Sequence, residues 1–136
     1  MNKIKYSIVT IITLSIISSC KINRYRNGLK VGKWVKEYTL DGISYKTVEF
    51  YKGGIERGRW KSFINKGLVF KEIYKNDTCY RTNYYSNGQI LSYGKTTTDR
   101  INNSLHWFYI GDWKYFDEQG NLKMIKNYKK RLSGTN

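Results

Sequence analysis

The stretch from Gly58 to Tyr74 consists of two aromatic-rich arms on either side of a short polar segment, Asn65-Lys66-Gly67. Aromatic and β-branched residues favour strands, and a Gly supplies the positive φ that a tight turn requires. The stretch therefore predicts a β-hairpin that opens with the sequence Gly-x-Trp. A chain that repeats this unit is expected to bury its apolar side chains by stacking the copies on one another.

The hairpin unit recurs along the chain. Two further copies open with Gly32-Lys33-Trp34 and Gly111-Asp112-Trp113, and a fourth has Arg81 in the Trp position. The three repeat Trp residues are 26 and 53 positions apart, so the copy without Trp fills the wider gap. Self-similarity at this period is typical of stacked structural repeats.

The composition favours strands over helices. The 136 residues include no Pro and no Ala, the best helix former, but 13 Tyr, 5 Phe and 4 Trp. We therefore predict an all-β fold, an elongated antiparallel meander of repeated β-hairpins over residues 31–128. Turns are expected near residues 41–42, 65–67, 86–88 and 119–120, further joints at 52–54 and 76–77, an inserted loop at 96–104 and a compact strand at 105–110.

The N-terminal residues predict export and lipidation. A basic head with Lys3 and Lys5 precedes an apolar run, residues 8–17, that is too short to span a bilayer. The segment Ile17-Ser18-Ser19-Cys20 resembles the lipobox of bacterial lipoproteins, which implies cleavage before Cys20 and acylation of that residue, with palmitate among the acyl chains. An ordinary signal peptide or an uncleaved anchor is the alternative.

These features divide the chain into four parts. Residues 1–19 are a predicted lipoprotein signal peptide, 20–30 the lipidated Cys20 and a tether, 31–128 the repeat domain, and 129–136 a basic tail. No acidic residue directly follows Cys20, which favours the periplasmic face of the outer membrane over the inner membrane as the location of the anchor.

The repeat has a shared pattern: Gly-x-Trp, an aromatic residue three or four positions later, a turn Gly, and a strand that ends in Tyr. The matching positions are Gly32, Trp34, Tyr38, Gly42, Gly58, Trp60, Phe63, Gly67, Tyr84, Asn87, Gly88, Gly111, Trp113, Phe116 and Gly120. This pattern resembles the MORN-type repeat and is more closely similar to the bacterial variant in the YwqK-like antitoxin family. The resemblance covers residues 28–128 and implies an elongated sheet with a scaffold or binding role, no catalytic residues and no cofactor. The missing Trp of the third copy and the insertion at 96–104 depart from the pattern.

The charge of the chain predicts an anionic partner. Against 10 acidic residues stand 25 basic ones, a net charge of +15, and removal of residues 1–19 would still leave +13. The predicted partners are the membrane, through acylated Cys20, and either an anionic lipid or an acidic protein, whereas export argues against nucleic acid. The basic residues best placed to act together are Lys52, Arg57, Arg59 and Lys61, with the tail 129–131 as a second group. The Trp residues are expected to pack as a ladder.

No pattern of residues indicates a catalytic or metal site. Nothing in the sequence brings Cys79 to the single His, His106, and one His with one Cys is too few for a metal. Asp117 and Glu118 are expected on opposite faces of a strand. The sequence therefore predicts a non-enzymatic, lipid-anchored envelope protein with a binding or scaffolding role. The alternatives are an immunity or antitoxin-like protein that binds an acidic toxin and a cryptic cell-wall hydrolase.

Overall fold

The computed structural model describes residues 21–75, 78–101 and 104–129, and all regular structure in these ranges is β-strand. The strands are β1 Arg24–Arg26, β2 Leu29–Leu40, β3 Ile43–Lys52, β4 Ile55–Glu56, β5 Gly58–Ile64, β6 Gly67–Lys75, β7 Thr78–Tyr84, β8 Ile90–Ile101, β9 Ser104–Phe116 and β10 Leu122–Tyr128. The predicted all-β class is therefore confirmed. Over the same ranges, no helix is long and apolar enough to cross a bilayer.

The strands form one antiparallel sheet. Its order is β1-β2-β3-β5-β6-β7-β8-β9-β10, and the short β4 pairs with β3 beside this path. Apart from β4, each strand pairs with the next strand along the path, so the chain runs as a meander of hairpins, as predicted. The longest ladders join β2 to β3, from Gly32 opposite Tyr51 to Leu40 opposite Ile43, and β8 to β9.

Most predicted turns are confirmed. Asp41 and Gly42 have φ values of 50° and 77°, the positive pair that a two-residue hairpin turn requires. The turns at 86–88 and 119–120 are closed by backbone bonds: the Tyr85 N–H donates to the Gln89 carbonyl at 2.9 Å, and the Asp117 N–H donates to the Asn121 carbonyl at 3.0 Å. The joint at 52–54 is also a turn.

The turn at 65–67 differs from the prediction in its geometry. The residues with positive φ are Asn65 at 48° and Lys66 at 69°, while Gly67 has no positive φ and begins β6. Asn tolerates the left-handed region better than most residues. Its side-chain oxygen also accepts a hydrogen bond from the Ser44 N–H at 3.0 Å, which holds the turn against β3. The expectation that Gly67 supplies the positive φ is therefore wrong.

Two predicted irregular segments belong to the sheet. Of the expected loop at 96–104, residues 96–101 and Ser104 are strand, because β8 continues to Ile101 and β9 begins at Ser104, with Thr96 opposite Tyr109. Three consecutive β-branched Thr residues, 96–98, favour this extended backbone although they are polar. The predicted tether also contains β1, whose residues pair with Leu29–Val31 across the turn at 27–28, so the sheet begins before residue 31.

Several predictions fall on other residues. The signal peptide 1–19, the acylated Cys20, the joint at 76–77 and the tail from residue 130 onward lie outside the described residues.

Candidate functional site

The two faces of the sheet differ in chemistry, because side chains alternate across each strand. The aromatic face carries Trp34, Tyr51, Trp60, Tyr74 and Trp113. The basic face carries Lys33, Lys46, Phe50, Lys61 and Phe63. Each face is a candidate for a binding surface, and their packing distinguishes them.

The rings of the aromatic face contact one another from strand to strand. Centroids lie 4.8 Å apart for Tyr25 and Trp34, 6.3 Å for Trp34 and Tyr51, 5.2 Å for Tyr51 and Trp60, and 5.0 Å for Trp60 and Tyr74. Aromatic pairs at such distances contribute about 0.5–1.5 kcal/mol beyond the area they bury. The repeat Trp and Tyr residues therefore form a packing ladder across five strands.

A buried carboxylate lies within this ladder on β3. Glu49 stands opposite Trp34 and is 6% exposed. The Tyr51 hydroxyl donates to one carboxylate oxygen at 2.9 Å, and the Lys36 ammonium donates to the other at 3.0 Å. Lys36 interrupts the apolar pattern of β2 because it is the counter-ion of Glu49. Burial and this carboxylate raise the pKa of Tyr51 above its usual range.

The next repeat builds the same arrangement on β6. Glu72 stands opposite Trp60, is 5% exposed, and accepts a hydrogen bond from the Tyr74 hydroxyl at 3.1 Å. Its counter-ion is Arg81, whose guanidinium donates to the second carboxylate oxygen at 2.9 Å. Burial, with the Glu72 charge, raises the pKa of Tyr74. A Trp, a Glu and a Tyr, with one cation from an adjacent strand, thus form the repeated core unit.

The copy without Trp has a structural role of its own. Arg81 occupies the Trp position and lies 3.7 Å from the centroid of Phe70. Opposite it, Gly94 leaves space for the next Trp, because a Cβ at this position would come within 2.5 Å of the Trp113 ring. The substitution of Arg for Trp therefore neutralises Glu72, and the Gly opposite makes room for Trp113.

The last repeat contains the most buried side chain. Trp113 is 0% exposed, its indole N–H donates to the Lys95 carbonyl at 2.9 Å, and its ring centroid lies 3.9 Å from that of Tyr109. The hydroxyls of Tyr115 and Tyr128 lie 2.7 Å apart beside it. Burial raises the pKa of Tyr115. The aromatic face thus carries the buried Trp side chains of the sheet, Trp34 and Trp113.

The basic face carries a groove of about 1310 Å³ over β2, β3 and β5. Three cross-strand pairs bring cations beside apolar side chains. Phe50 stands opposite Lys33, Val48 opposite Lys61, and Phe63 opposite Lys46. The groove therefore has an apolar floor of Val48, Phe50 and Phe63 surrounded by cationic side chains. Phe50 is 37% exposed, so this floor is open to solvent.

The charges around the groove are unbalanced. Its basic lining residues are Lys33, Lys46, Arg57, Arg59, Lys61 and Lys66, and its one acidic lining residue is Glu37. Glu37 is already ion-paired with Lys46. Among the described residues, no carboxylate lies within ion-pairing distance of Lys33, Arg59 or Lys61. The groove consequently has a positive potential that an anion would neutralise.

The predicted contact residues are only partly brought together. Arg57, Arg59 and Lys61 line the groove, whereas Lys52 does not. The sequence did not indicate Lys33 or the apolar floor, because these residues come from strands whose register decides which side chains meet. The alternation of Arg59, Lys61 and Phe63 along β5 was the available signal.

The residues of the repeat pattern act structurally. Gly32, Gly58 and Gly111, which open the units with Trp, have φ values of 72°, 68° and 65°, a region that side chains disfavour. Tyr38 stacks on Tyr45 with centroids 4.9 Å apart, and Phe116 stacks on Tyr93 at 5.7 Å. The remaining motif residues belong to strands or turns: Gly42, Gly67, Tyr84, Asn87, Gly88 and Gly120. Phe63 also contributes to the groove floor.

Cys79 and His106 lie on opposite faces of the sheet. Cys79 is opposite Thr96, which is opposite Tyr109, so Cys79 shares the face of Tyr109, and His106 points the other way. Cys79 is buried, and burial raises the pKa of its thiol. A Cys–His nucleophilic pair therefore does not form.

In the last unit, Asp117 stabilises the turn after β9, and Asp112 links β9 to β10. Asp117 accepts bonds from the backbone N–H groups of Asn121 at 2.8 Å and Gln119 at 3.1 Å, and the Asn121 bonds are the main reason that its pKa is lowered. Asp112 accepts a bond from the Asn127 side chain. The prediction that Asp117 and Glu118 lie on opposite faces of a strand is wrong, because both follow the end of β9.

In the ranges that the structure describes, no three His, Cys, Asp or Glu side chains are grouped as metal ligands would be. Comparison with protein-family models, with curated proteins and with solved structures found no match.

Proposed function

We propose that this protein is a non-enzymatic, lipid-anchored component of the bacterial envelope that binds an anionic partner through the groove on its basic face. The observation that carries the proposal is the composition of the groove. Six basic side chains surround an apolar floor, and the single carboxylate among them is ion-paired. The anchor at Cys20 follows from the lipobox resemblance, as does cleavage of residues 1–19.

The repeats supply a scaffold for this groove. We propose that they are MORN-type repeats, a proposal supported by the Gly-x-Trp units and by the ladder of Trp and Tyr rings on the aromatic face. In this arrangement the aromatic face stabilises the sheet and the opposite face remains available for a partner. A scaffold or binding role fits this division between the faces.

Electrostatics can provide a useful part of the binding free energy. Each Lys or Arg near an anionic surface contributes about 1 kcal/mol, and the effect fades within a Debye length of about 8 Å at physiological salt. Lys33, Lys46 and Lys61 lie on β2, β3 and β5, which are spaced about 5 Å apart, so cations on adjacent strands fall within about one Debye length of each other. They can therefore act together on one anion.

The anchor is tested by replacing Cys20 with Ala. Acyl burial contributes about 0.8 kcal/mol per methylene, so the variant should leave the membrane fraction. Retention of Cys20→Ala in washed membranes would contradict the anchor. The released protein then serves as the probe for the groove.

The groove is tested by adding the Cys20→Ala protein back to envelope membranes from cells that lack it. Rebinding should fall in high salt and in a variant with Lys33, Arg59 and Lys61 changed to Gln. The matched control changes Lys52, Lys75 and Lys123 to Gln, which removes the same charge from exposed positions outside the groove. Equal loss in both triple variants would show that net charge, and not the groove, controls binding.

A further inference from the structure

The floor of the groove indicates which anionic partner fits it. We propose that the groove binds an acidic protein segment that places one apolar side chain between its carboxylates; this inference rests on the proposed function. The apolar side chain would sit on Phe50 and Phe63, while flanking carboxylates reach Arg59, Lys61 and Lys33. The juxtaposition is given by the register, in which Lys33 faces Phe50 and Lys46 faces Phe63.

Charge complementarity is the first argument. The groove has six basic lining residues and one carboxylate that is already paired with Lys46, so an occupant must be acidic. A second copy of this chain would be repelled, because it keeps a net charge of +13 after the proposed removal of residues 1–19. The basic face would therefore select a partner of opposite charge, and electrostatic complementarity would also speed the encounter.

The openness of the floor is the second argument. Protein sites for small amphiphiles enclose most of the ligand surface. Here the floor lies on a single sheet, and Phe50 is 37% exposed beside exposed Lys33 and Lys61. A lone acyl chain on such a floor would stay partly in water. A segment of a larger protein would cover the floor and exclude water from the cations around it, as happens at the centres of interfaces.

The arrangement of the residues is the third argument. Interfaces between proteins are enriched in aromatic residues and Arg, and a few such residues carry most of the binding free energy. Phe50, Phe63 and Arg59 are side chains of this kind at one place on the sheet. An anion that offered charge alone would leave Phe50 and Phe63 uncovered, so the apolar anchor distinguishes this partner from a simple polyanion.

The test uses the full chain in a neutral detergent and a fluorescein-labelled synthetic peptide with two acidic residues on each side of one Phe. Fluorescence anisotropy should show binding that weakens at least about threefold when Arg59 and Lys61 are changed to Gln, given the modest contribution of each exposed ion pair. Lys75→Gln with Lys123→Gln is the charge-matched control and should bind as the unchanged chain does. Phe50→Ser should also weaken binding, whereas Ile125→Ser, at a position 54% exposed on β10, should not.

The peptide and lipid arms separate the possible outcomes. A peptide with Ser in place of Phe should bind more weakly; equal binding would overturn the proposal, because the apolar anchor would then contribute nothing. A single-chain anionic lipid in the same micelles is the second probe. If this lipid binds more tightly than the peptide and displaces it completely, the acidic-segment proposal is overturned and the proposed function stands. If neither probe shows binding that depends on salt and on the groove residues, both the acidic-segment proposal and the proposed function are overturned. Circular dichroism of each variant distinguishes lost binding from lost folding, and Lys61→Arg should retain binding.

Discussion

Among Gly→Ala substitutions in the sheet, Gly94→Ala should lower the free energy of unfolding most. A Cβ at residue 94 would lie 2.5 Å from atoms of the Trp113 ring, so the ring would have to move by about 1 Å to reach ordinary contact distance. Trp113 has little freedom to move, since it is 0% exposed, its centroid lies 3.9 Å from Tyr109, and its N–H donates to the Lys95 carbonyl.

The magnitude follows from these contacts. Overpacking a well-filled core costs about 1–3 kcal/mol, and loss of the indole hydrogen bond adds about 1 kcal/mol. The expected loss is therefore about 2–4 kcal/mol, or roughly 10–20 °C in melting temperature for a domain of this size. Thermal unfolding should be followed by circular dichroism and by Trp fluorescence, which also reports the environment of Trp113.

Gly67→Ala is the matched control. Gly67 has no positive φ, and the nearest atom to its added Cβ would be the Ile64 carbonyl oxygen at 3.3 Å. Its effect should be within about 1 kcal/mol, as for most mild substitutions. The double variant Gly94→Ala with Trp113→Leu should lose much less than the sum of its two single effects, because the clash disappears with the ring. A Gly94→Ala variant that melts within a degree or two of the unchanged chain would refute the packing argument.

Three further predictions concern buried ionisable groups. Arg81→Met should lower the free energy of unfolding in urea by about 3 kcal/mol, because it leaves the carboxylate of Glu72 buried without its cation. Lys46→Met should lower it by less than about 1 kcal/mol, because the carboxylate partner of Lys46 is 59% exposed. Equal losses in the two variants would contradict this reasoning. Burial raises the pKa values of Tyr51, Tyr74 and Tyr115. The unfolded chain therefore loses these protons first, so the contribution of the tyrosines to stability should be constant below about pH 9 and fall above about pH 10. Phenolate absorbance should reveal tyrosines that ionise only on unfolding. Cys79 is buried with a raised pKa, so a thiol reagent should label it rapidly only in denaturant; rapid labelling of the folded protein would show that the site opens readily.

The sequence predicted the architecture well because hairpin repeats are local. Turn chemistry at Asp41-Gly42 and the recurrent Gly-x-Trp units depend on residues close together in the chain, and both appear in the structure. The errors came from places where a neighbouring strand overrides local preference. The polar sequence of residues 96–101 predicts a loop. These residues are strand because they belong to β8 and pair with β9.

The groove was harder to predict because it depends on register. The sequence predicts that Arg59 and Lys61 act together, but their meeting with Lys33 and Phe50 requires the pairing of β2 with β3 and of β3 with β5. A shift of one residue in either ladder would move these side chains to the other face. Lys52 illustrates the limit: it is close in sequence to the groove residues and does not line the groove.

The distribution of acids allows a test of whether the positive charge serves binding, as proposed, or solubility alone. On the aromatic face, Glu49 and Glu72 are buried and each has its own cation, Lys36 or Arg81. The groove on the other face has one acid for six basic residues. If charge served solubility alone, neutralising any one cation would have a similarly small effect on stability and on binding. The structure instead predicts two separable effects: loss of Lys36 or Arg81 should lower stability, because a buried carboxylate loses its partner, whereas loss of Arg59 or Lys61 breaks no ion pair among the described residues and should lower binding while stability is retained.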